Sequence, residues 1–494
     1  MEILSHISLD SALELPIYKQ LAGSIRAAIE VGAIGLGERL PATRELAGQL
    51  GLNRTTVSAA YSVLEEAGLL EGQVGRGSFV AYNGASTIAR SFDWEKVLPP
   101  PESINAASGE AKINFANSRP SEDCFPMEEF RRLSREVIQS REAVHILQLG
   151  SPYGYGPLRR YLLNENLAMG LACAEDDLII TNGCQQALDL LARLLVGGSD
   201  AGVLLEEPVY HGLLRVFASA RARLIPVPVG DSGVNVSALE AIASQQQKTR
   251  LLVITPDFQN PTGTSLNLEQ RKSIVAIAQR AGWMVIESTI YRDLRYRGQA
   301  LPTLKQLDES GNVISIGSYS KVAFPGLRVG WVIAPRPVIA RLAEAKQTSD
   351  LHSDQLSQAV LLRFAESGEL ARHLERTKHM GAERLRAVLE SCERFLPAGC
   401  RFTRPEGGMN LWVELPPPLL AEELLKATEE QEVSFLPGGY FSHRHSDPRH
   451  LRISFGGLSP ETIRLGMSIL GTIARDQIAA HQARAPLESF AALV

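Results

Sequence analysis

Apolar residues recur at four-residue steps from Ile17 through Leu21 and Ile25 to Ile29, which predicts one buried helix face beginning after Pro16. Gly35 and Gly37 interrupt that pattern, and RLPATRELAGQLG then predicts a short second helix with Leu46, Ala47 and Leu50 turned inward. Gly51-Leu52-Asn53 reads as a tight turn, and Asn53 is a strong N-cap for a third helix in RTTVSAAYSVLEEAG. Its inward positions are Val57, Ala60, Tyr61 and Leu64, and Gly68 ends it. LLEGQVGRGSFVAY follows as two short strands around a glycine-rich turn. Three helices and a hairpin over residues 10–82 predict a winged helix-turn-helix.

Periodicity lapses over residues 83–112, where Pro99-Pro100-Pro101 stiffens a stretch that otherwise reads as a linker. From 113 to 475 apolar runs alternate with amphipathic segments. Strands are predicted in DLIIT, AGVLLEE, RLLVIT, WMVIE and NVISIG, and helices in QQALDLLARLL and LEQRKSIVAIAQRAG. This alternation predicts an α/β fold with a mostly parallel sheet. MNLWVEL, VSFLPGGYF and HLRISF predict a small C-terminal α+β domain, and residues 476–494 a helical or frayed tail. No internal repeat is present.

The 494 residues are 45% hydrophobic and 21% charged, which excludes a disordered, collagenous or coiled-coil chain. Cys124, Cys173, Cys184, Cys392 and Cys400 form no CxxC pair. They imply neither a disulfide framework nor a metal site and fit a reducing cytoplasm. The start MEILSHISLDSALELP lacks the pattern of a signal peptide, and no apolar run is long enough to span a membrane. A cytoplasmic location with no membrane partner is therefore expected.

A helix-turn-helix lays its second helix in the major groove, with polar side chains at its start reaching base edges. Here that start is Asn53-Arg54-Thr55-Thr56, preceded by Arg44 at the opening of the previous helix. Arginine addresses guanine, and threonine a phosphate or a thymine methyl. Gly75-Arg76-Gly77 at the hairpin tip lets backbone and Arg76 approach the duplex. Charge alone does not single out DNA. A net charge of -5 gives no global basic field, and residues 10–82 hold six basic against eight acidic residues. Spacing does single it out, because GERLPATRELAGQLGLNRTTVSAAYSVLEEAGLL followed by GRGSFV resembles the GntR-family winged helix over residues 16–82. The resemblance implies double-stranded DNA as partner, with Arg44, Arg54, Thr55, Thr56 and Gly75 at contact positions and Ser58 and Arg76 as weaker ones. Ala42 departs mildly, standing where the family often has a capping serine.

A second constellation lies in GSYSKVAFPGLRVGW. Lys321 ends a strand beside small hydroxyl residues, with Arg328 seven positions on. That suits an aldehyde cofactor bearing a phosphate, with Lys321 as the Schiff-base amine and Ser318 and Arg328 on the phosphate. FQNPTG supplies Asn260, and TNGCQQALDL offers the N–H groups of Gly183, Cys184 and Gln185 at a helix N-terminus, where phosphate is favoured. EEPVYHG places Tyr210 to stack on a ring, and WMVIESTIYRDL places Tyr291 in a similar loop. Each alone reads as a turn or rim residue. All five loops, however, end predicted parallel strands, where open α/β sheets bind ligands.

Residues 113–475 resemble fold-type I aminotransferases dependent on pyridoxal phosphate (PLP), particularly the branch with kynurenine and aromatic aminotransferases. SPYGYGPLRRYL is similar to that branch's YPPLR-type segment. The resemblance implies that Lys321 binds PLP covalently, that Asn260 and Tyr291 contact the ring hydroxyl, and that Tyr210 stacks on the ring. Cys184, Gln185, Ser318 and Arg328 would hold the phosphate, and Arg452, in LRISFGG, would clamp an amino-acid carboxylate. It also implies an aspartate on the pyridine nitrogen three positions before Tyr291, and there the sequence has Ser288. A serine hydroxyl cannot stabilise a pyridinium by charge, so sustained transamination is not expected. Glu287 would serve only if the loop were shifted by one residue.

A winged helix linked to an aminotransferase-like domain resembles the MocR/GabR subfamily of transcription regulators. This implies a homodimer built through the large domain. It implies also that PLP, or an amino acid or amine joined to it as an aldimine, shifts the DNA-reading heads. Two alternatives stand beside it. One is a working aminotransferase with Lys321 catalytic; the other is a large domain that only dimerises.

Overall fold

The helices α1 (Ile17–Glu30), α2 (Thr43–Leu50) and α3 (Arg54–Glu66) close a small core with the faces that periodicity assigns them. Leu21, Ile25 and Ile29 meet Leu46 and Ala47, and both groups meet Val57, Ala60, Tyr61 and Leu64. Ile17 and Leu50 are only half-buried, at the rim. Gly51, at φ 67°, ends α2 in the left-handed region, and the Asn53 side chain caps α3 by accepting from Thr55 N. The antiparallel hairpin β1 (Leu70–Gln73) and β2 (Gly77–Val80) completes the winged helix, with Arg39 bridging to Phe79.

The computed structural model describes residues 7, 9–10, 15–73, 77–81, 97–98, 111–197, 201–245, 248–443 and 448–491. Gly75, Arg76 and most of the 83–112 linker lie outside the described residues. The chain divides into two compact units, residues 1–104 and 105–494.

The second unit opens with β3 (Ile113–Asn114) and is built on a sheet of eight strands. These are β4 (Asp176–Asn182), β5 (Gly202–Glu207), β6 (Arg223–Gly230), β7 (Gly233–Val234), β8 (Thr249–Ile254), β9 (Met284–Ser288), β10 (Val313–Ser318) and β11 (Val329–Pro335). Their spatial order is β4-β11-β10-β9-β8-β5-β6-β7. The inner pairs are parallel as expected. Within the sheet β11 runs antiparallel to both neighbours, and β7 is antiparallel at the edge. The run VGWVIAP is as uniformly apolar as a parallel strand, so its direction is not written in its pattern.

Alternation along the central strands sends side chains into two separate cores. Leu205, Val253, Ile286 and Ile316 pack on one face with the helix Gly183–Val196. Leu204, Leu252, Ile254 and Val285 pack on the other with the helix Leu268–Ala281. This two-sided burial positions the ligand site, because odd and even residues at the strand ends face opposite layers.

The C-terminal lobe carries β12 (Arg401–Phe402), β13 (Asn410–Glu414), β14 (Val433–Ser434), β15 (Leu436–Pro437) and β16 (His450–Ser454). Its sheet has the order β12-β13-β16-β15, while β14 pairs with β3. The strand that follows the linker is thus part of the C-terminal lobe. The helices Glu369–Phe395 and Pro460–Ala491 cover this sheet. The second of them runs through residue 475 without a break, so the segment read as a helical or frayed tail begins as its continuation. Ile463, Met467, Leu470 and Ala474 are fully buried, and Ile478 still packs against the same core. Among the described residues no helix is long and apolar enough to cross a membrane.

Candidate functional site

On the winged helix, Arg44 is exposed in the first turn of α2, and Arg54 and Thr55 are exposed in the first turn of α3. Thr56 and Ser58 are half-buried beside them. The Asn53 Oδ1 to Thr55 N bond of 3.2 Å fixes where this turn begins. The described candidates on the reading head thus stand on consecutive helix starts, turned outward from the core.

In the large unit a cavity of about 380 Å³ opens at the carboxyl ends of the parallel strands. It is lined by ten residues singled out there from sequence: Cys184, Gln185, Tyr210, Asn260, Ser288, Tyr291, Ser318, Lys321, Arg328 and Arg452. Three cations face it, and no aspartate or glutamate is among its described lining residues. Its charge suits a polyanionic ligand.

One end of the cavity is the first turn of the helix Gly183–Val196. Asn182 makes no side-chain cap there, so the N–H groups of that turn are open to an anion. Gly183 sits at φ 74°, and a Cβ on it would lie 2.5 Å from Arg328 Nη2. Glycine is what allows the guanidinium to lie against the helix start. The Cys184 thiol donates to Gly317 O at 3.4 Å, and burial pushes its pKa up to about 12, so it stays a neutral group. Ser318 Oγ donates to Val329 O and lies 2.9 Å from Ser320 Oγ, which is within 3.5 Å of Arg328 Nη1. Ser320 was missed by the sequence reading, although it lies one residue before Lys321.

At the middle of the cavity Lys321 Nζ lies 5.6 Å from the centre of the Tyr291 ring and donates to Ser118 O. Ser288 faces this space, on the same side of β9 as Ile286. Glu287 faces the other layer with Val285, fully buried, and accepts from Leu304 N at 2.7 Å and Lys305 N at 2.9 Å. Burial raises its pKa to about 7 in spite of these bonds. The loop is therefore not shifted by one, and Glu287 is not available to a ligand in the cavity. A one-residue offset along a strand is a change of face.

At the other end Arg452, on β16, is 3% exposed. Its Nη1 donates to Asn260 Oδ1 at 3.1 Å, its Nη2 to Ala116 O, and its charge lies 4.9 Å from the centre of the Phe441 ring. Burial lowers its pKa to about 10. Its Nε has no hydrogen-bond partner among the described residues, and neither has the shielded Ser118 Oγ. Buried donors without partners on a cationic wall are what an anionic ligand would satisfy. Tyr440, Phe441 and Leu436 add an apolar rim. Ala116, Asn117 and Ser118 also line the cavity, and the sequence reading did not single them out. FANSRP lies about 200 residues from Lys321, and no local signal marks it as part of a site.

The family model for aminotransferase class I and II matches residues 116–470, and that for bacterial regulatory proteins of the gntR family matches residues 17–80. A 2-aminoadipate transaminase of Thermus thermophilus is 35% identical over 362 residues, 73% of this chain and 89% of that protein. The probable rhizopine catabolism regulatory protein MocR of Rhizobium meliloti is 30% identical over 477 residues, 94% of each chain. Among solved structures, the α-aminoadipate aminotransferase LysN of Thermus thermophilus, in complex with N-(5'-phosphopyridoxyl)-L-leucine, is 32% identical. It superposes with a TM-score of 0.72 over 79% of this chain and all of that one.

Proposed function

Because this chain belongs to the MocR/GabR subfamily, a gntR-type reading head joined to a class I and II aminotransferase domain, we propose that it is a homodimeric cytoplasmic regulator whose hold on DNA responds to PLP or to an amino acid or amine captured with it. The observation that carries the reading is the cavity wall: three cations, a lysine amine among them, with Ser288 and, among the described lining residues, no carboxylate facing the same space.

In this reading Lys321 holds the cofactor covalently, Arg328, Ser318 and Ser320 with the N–H groups of Cys184 and Gln185 hold its phosphate, and Tyr210, Asn260 and Tyr291 orient its ring. When bound, PLP supplies an aldehyde that captures amines reversibly and a ring that can accept electron density. Ser288 offers the ring nitrogen a neutral hydrogen bond in place of an ionic one, which suits capture and not turnover. Arg452 holds a carboxylate, for which its unpartnered Nε and its burial leave it poised. On the head, Arg44, Arg54, Thr55 and Thr56 read one half-site, and the homodimer presents two such heads.

The test is a fixed-salt titration of the protein's own upstream DNA with three samples: apo protein, PLP-loaded protein, and PLP-loaded protein with mixed amino acids. A change on PLP alone, lost in Lys321→Ala, makes the cofactor the signal. A change only with amino acids, lost in Arg452→Ala, makes the captured amino acid the signal. No DNA binding in any state, together with multiple-turnover amino transfer that Lys321→Ala abolishes, overturns the regulator reading in favour of an enzyme.

A further inference from the structure

The two cations at the heart of the cavity, Lys321 in the turn after β10 and Arg452 on β16, lie far apart in the chain, yet both donate to one short segment. Lys321 Nζ donates to Ser118 O and Arg452 Nη2 to Ala116 O. That segment directly continues β3, whose Ile113 N donates to Glu432 O at 3.0 Å and whose flank is pinned by Phe115 N to Ser434 O at 2.8 Å. On the other side Ser454 N, two residues from Arg452, donates to Phe115 O at 3.0 Å. Beyond Phe115 the strand pairing stops and a single side chain takes over. Asn114 Oδ1 accepts from Ala116 N at 2.9 Å and from Asn117 N at 3.1 Å, holding the turn so that its carbonyls meet the two cations. The same turn presents the Ser118 hydroxyl, which is shielded and without a partner among the described residues, at the cavity wall. N-terminal to β3 the chain is the linker to the reading head.

We propose that Asn114–Ser118 is an occupancy-reading strap: a ligand that engages Lys321 and Arg452 takes their hydrogens from the Ser118 and Ala116 carbonyls, and the release passes through Asn114 and β3 to the linker. This rests on the cavity being the cofactor and effector site. Condensation of the Lys321 ammonium with an aldehyde forms a C=N bond and expels the carbonyl oxygen as water with two of the three N–H hydrogens, leaving one. At Arg452 a carboxylate outcompetes a neutral backbone carbonyl, because charge-assisted bonds to guanidinium are the stronger ones. Both ligand types therefore act on the same turn, one clamp each. Asn114 is a positioning residue in this scheme, since its backbone belongs to β3 and its side chain to the turn.

The experiment is amide hydrogen exchange on the full-length protein without additive, with PLP, and with PLP plus an equimolar mixture of the twenty amino acids. PLP uptake is read in parallel from its visible absorbance. Exchange at residues 116–118 should quicken by about fivefold on PLP loading, the change expected when one shielded hydrogen bond is given up. Unchanged or slower exchange in loaded protein overturns the strap. Asn114→Ala carries the test to DNA. It should take up PLP as the native chain does, while the ligand-dependent shift in affinity for upstream DNA shrinks by about fivefold, and Asn114→Asp, which keeps an acceptor oxygen, should restore it. A full native shift in folded, loaded Asn114→Ala overturns the proposal, and should that variant not fold, the exchange result on the native chain decides alone. Native protein that loads PLP and releases the strap yet never changes its hold on DNA overturns the regulator reading instead, which keeps the two failures apart.

Discussion

The reading head and the ligand cavity use positive charge in opposite ways. On the head Arg44 and Arg54 are exposed on a domain whose acids outnumber its bases, so their charges are screened by water and salt until a duplex is docked. In the cavity Lys321, Arg328 and Arg452 share a wall whose described lining residues include no carboxylate, and burial lowers the pKa of Arg452 to about 10. Exposed cations contribute by degrees, each through its own contact. Confined cations without counter-charges act together on one anionic ligand, and losing one alters the whole site.

The largest expected effect follows from that contrast. Lys321→Ala should abolish retained PLP, read as loss of visible absorbance after desalting, and with it every ligand-dependent change in DNA affinity. A variant that still responds to PLP breaks the distinction between the two regions. Glu287→Gln sharpens it from behind the sheet, where the acids next to the cavity are turned away from it. Buried Glu287 holds its proton up to about pH 7, whereas an unfolded glutamate releases it near 4.5. The folded chain thus binds the proton more tightly, and its contribution is full below pH 4.5 and lost as pH rises to 7. The loss amounts to about 3 kcal/mol. Denaturant midpoints across that window should fall more steeply in the native chain than in the glutamine variant, the remaining slope including buried Glu206, whose pKa is raised to about 8. Next comes Arg54→Ala, expected to weaken specific DNA binding by about 1–3 kcal/mol and to flatten its salt dependence, with PLP uptake native.

The same contrast explains what could be seen in the sequence. The head was legible almost throughout, because its core is local: Val57, Ala60, Tyr61 and Leu64 follow helical spacing, and Gly51 and Asn53 mark the turn with their own chemistry. In the large domain eight of the ten candidate residues were legible in strand-end loops, and Ser288 and Arg452 through the family resemblance; the cavity gathers all ten. Whether residue 287 or 288 faces that cavity was not, since it depends on which layer a buried strand presents to which helix. The antiparallel β11 was hidden for a similar reason, its two faces being equally apolar. Residues 116–118 were invisible because only tertiary pairing of β3 with β14, far along the chain, brings FANSRP to the site.

The smallest expected effect tests whether the head is as modular as its exposed charges suggest. The Asn53 side chain accepts from Thr55 N at 3.2 Å and so fixes the first turn of α3. Asn53→Ala should cost about 1 kcal/mol of head stability, the usual worth of an N-cap. That turn also carries Arg54, Thr55 and Thr56, so fraying it should weaken DNA binding in the same proportion. Asn53→Ser, which keeps an acceptor, should recover both, while Asn53→Gly should recover most of the stability, because glycine is nearly as good a cap, and less of the DNA affinity, because it leaves the turn freer. A glycine variant with native DNA affinity would mean that the duplex itself orders the turn, and that the cap matters to the head only as stability. PLP uptake should be native in all three, and a change there would show the two units to be coupled even before a ligand is bound.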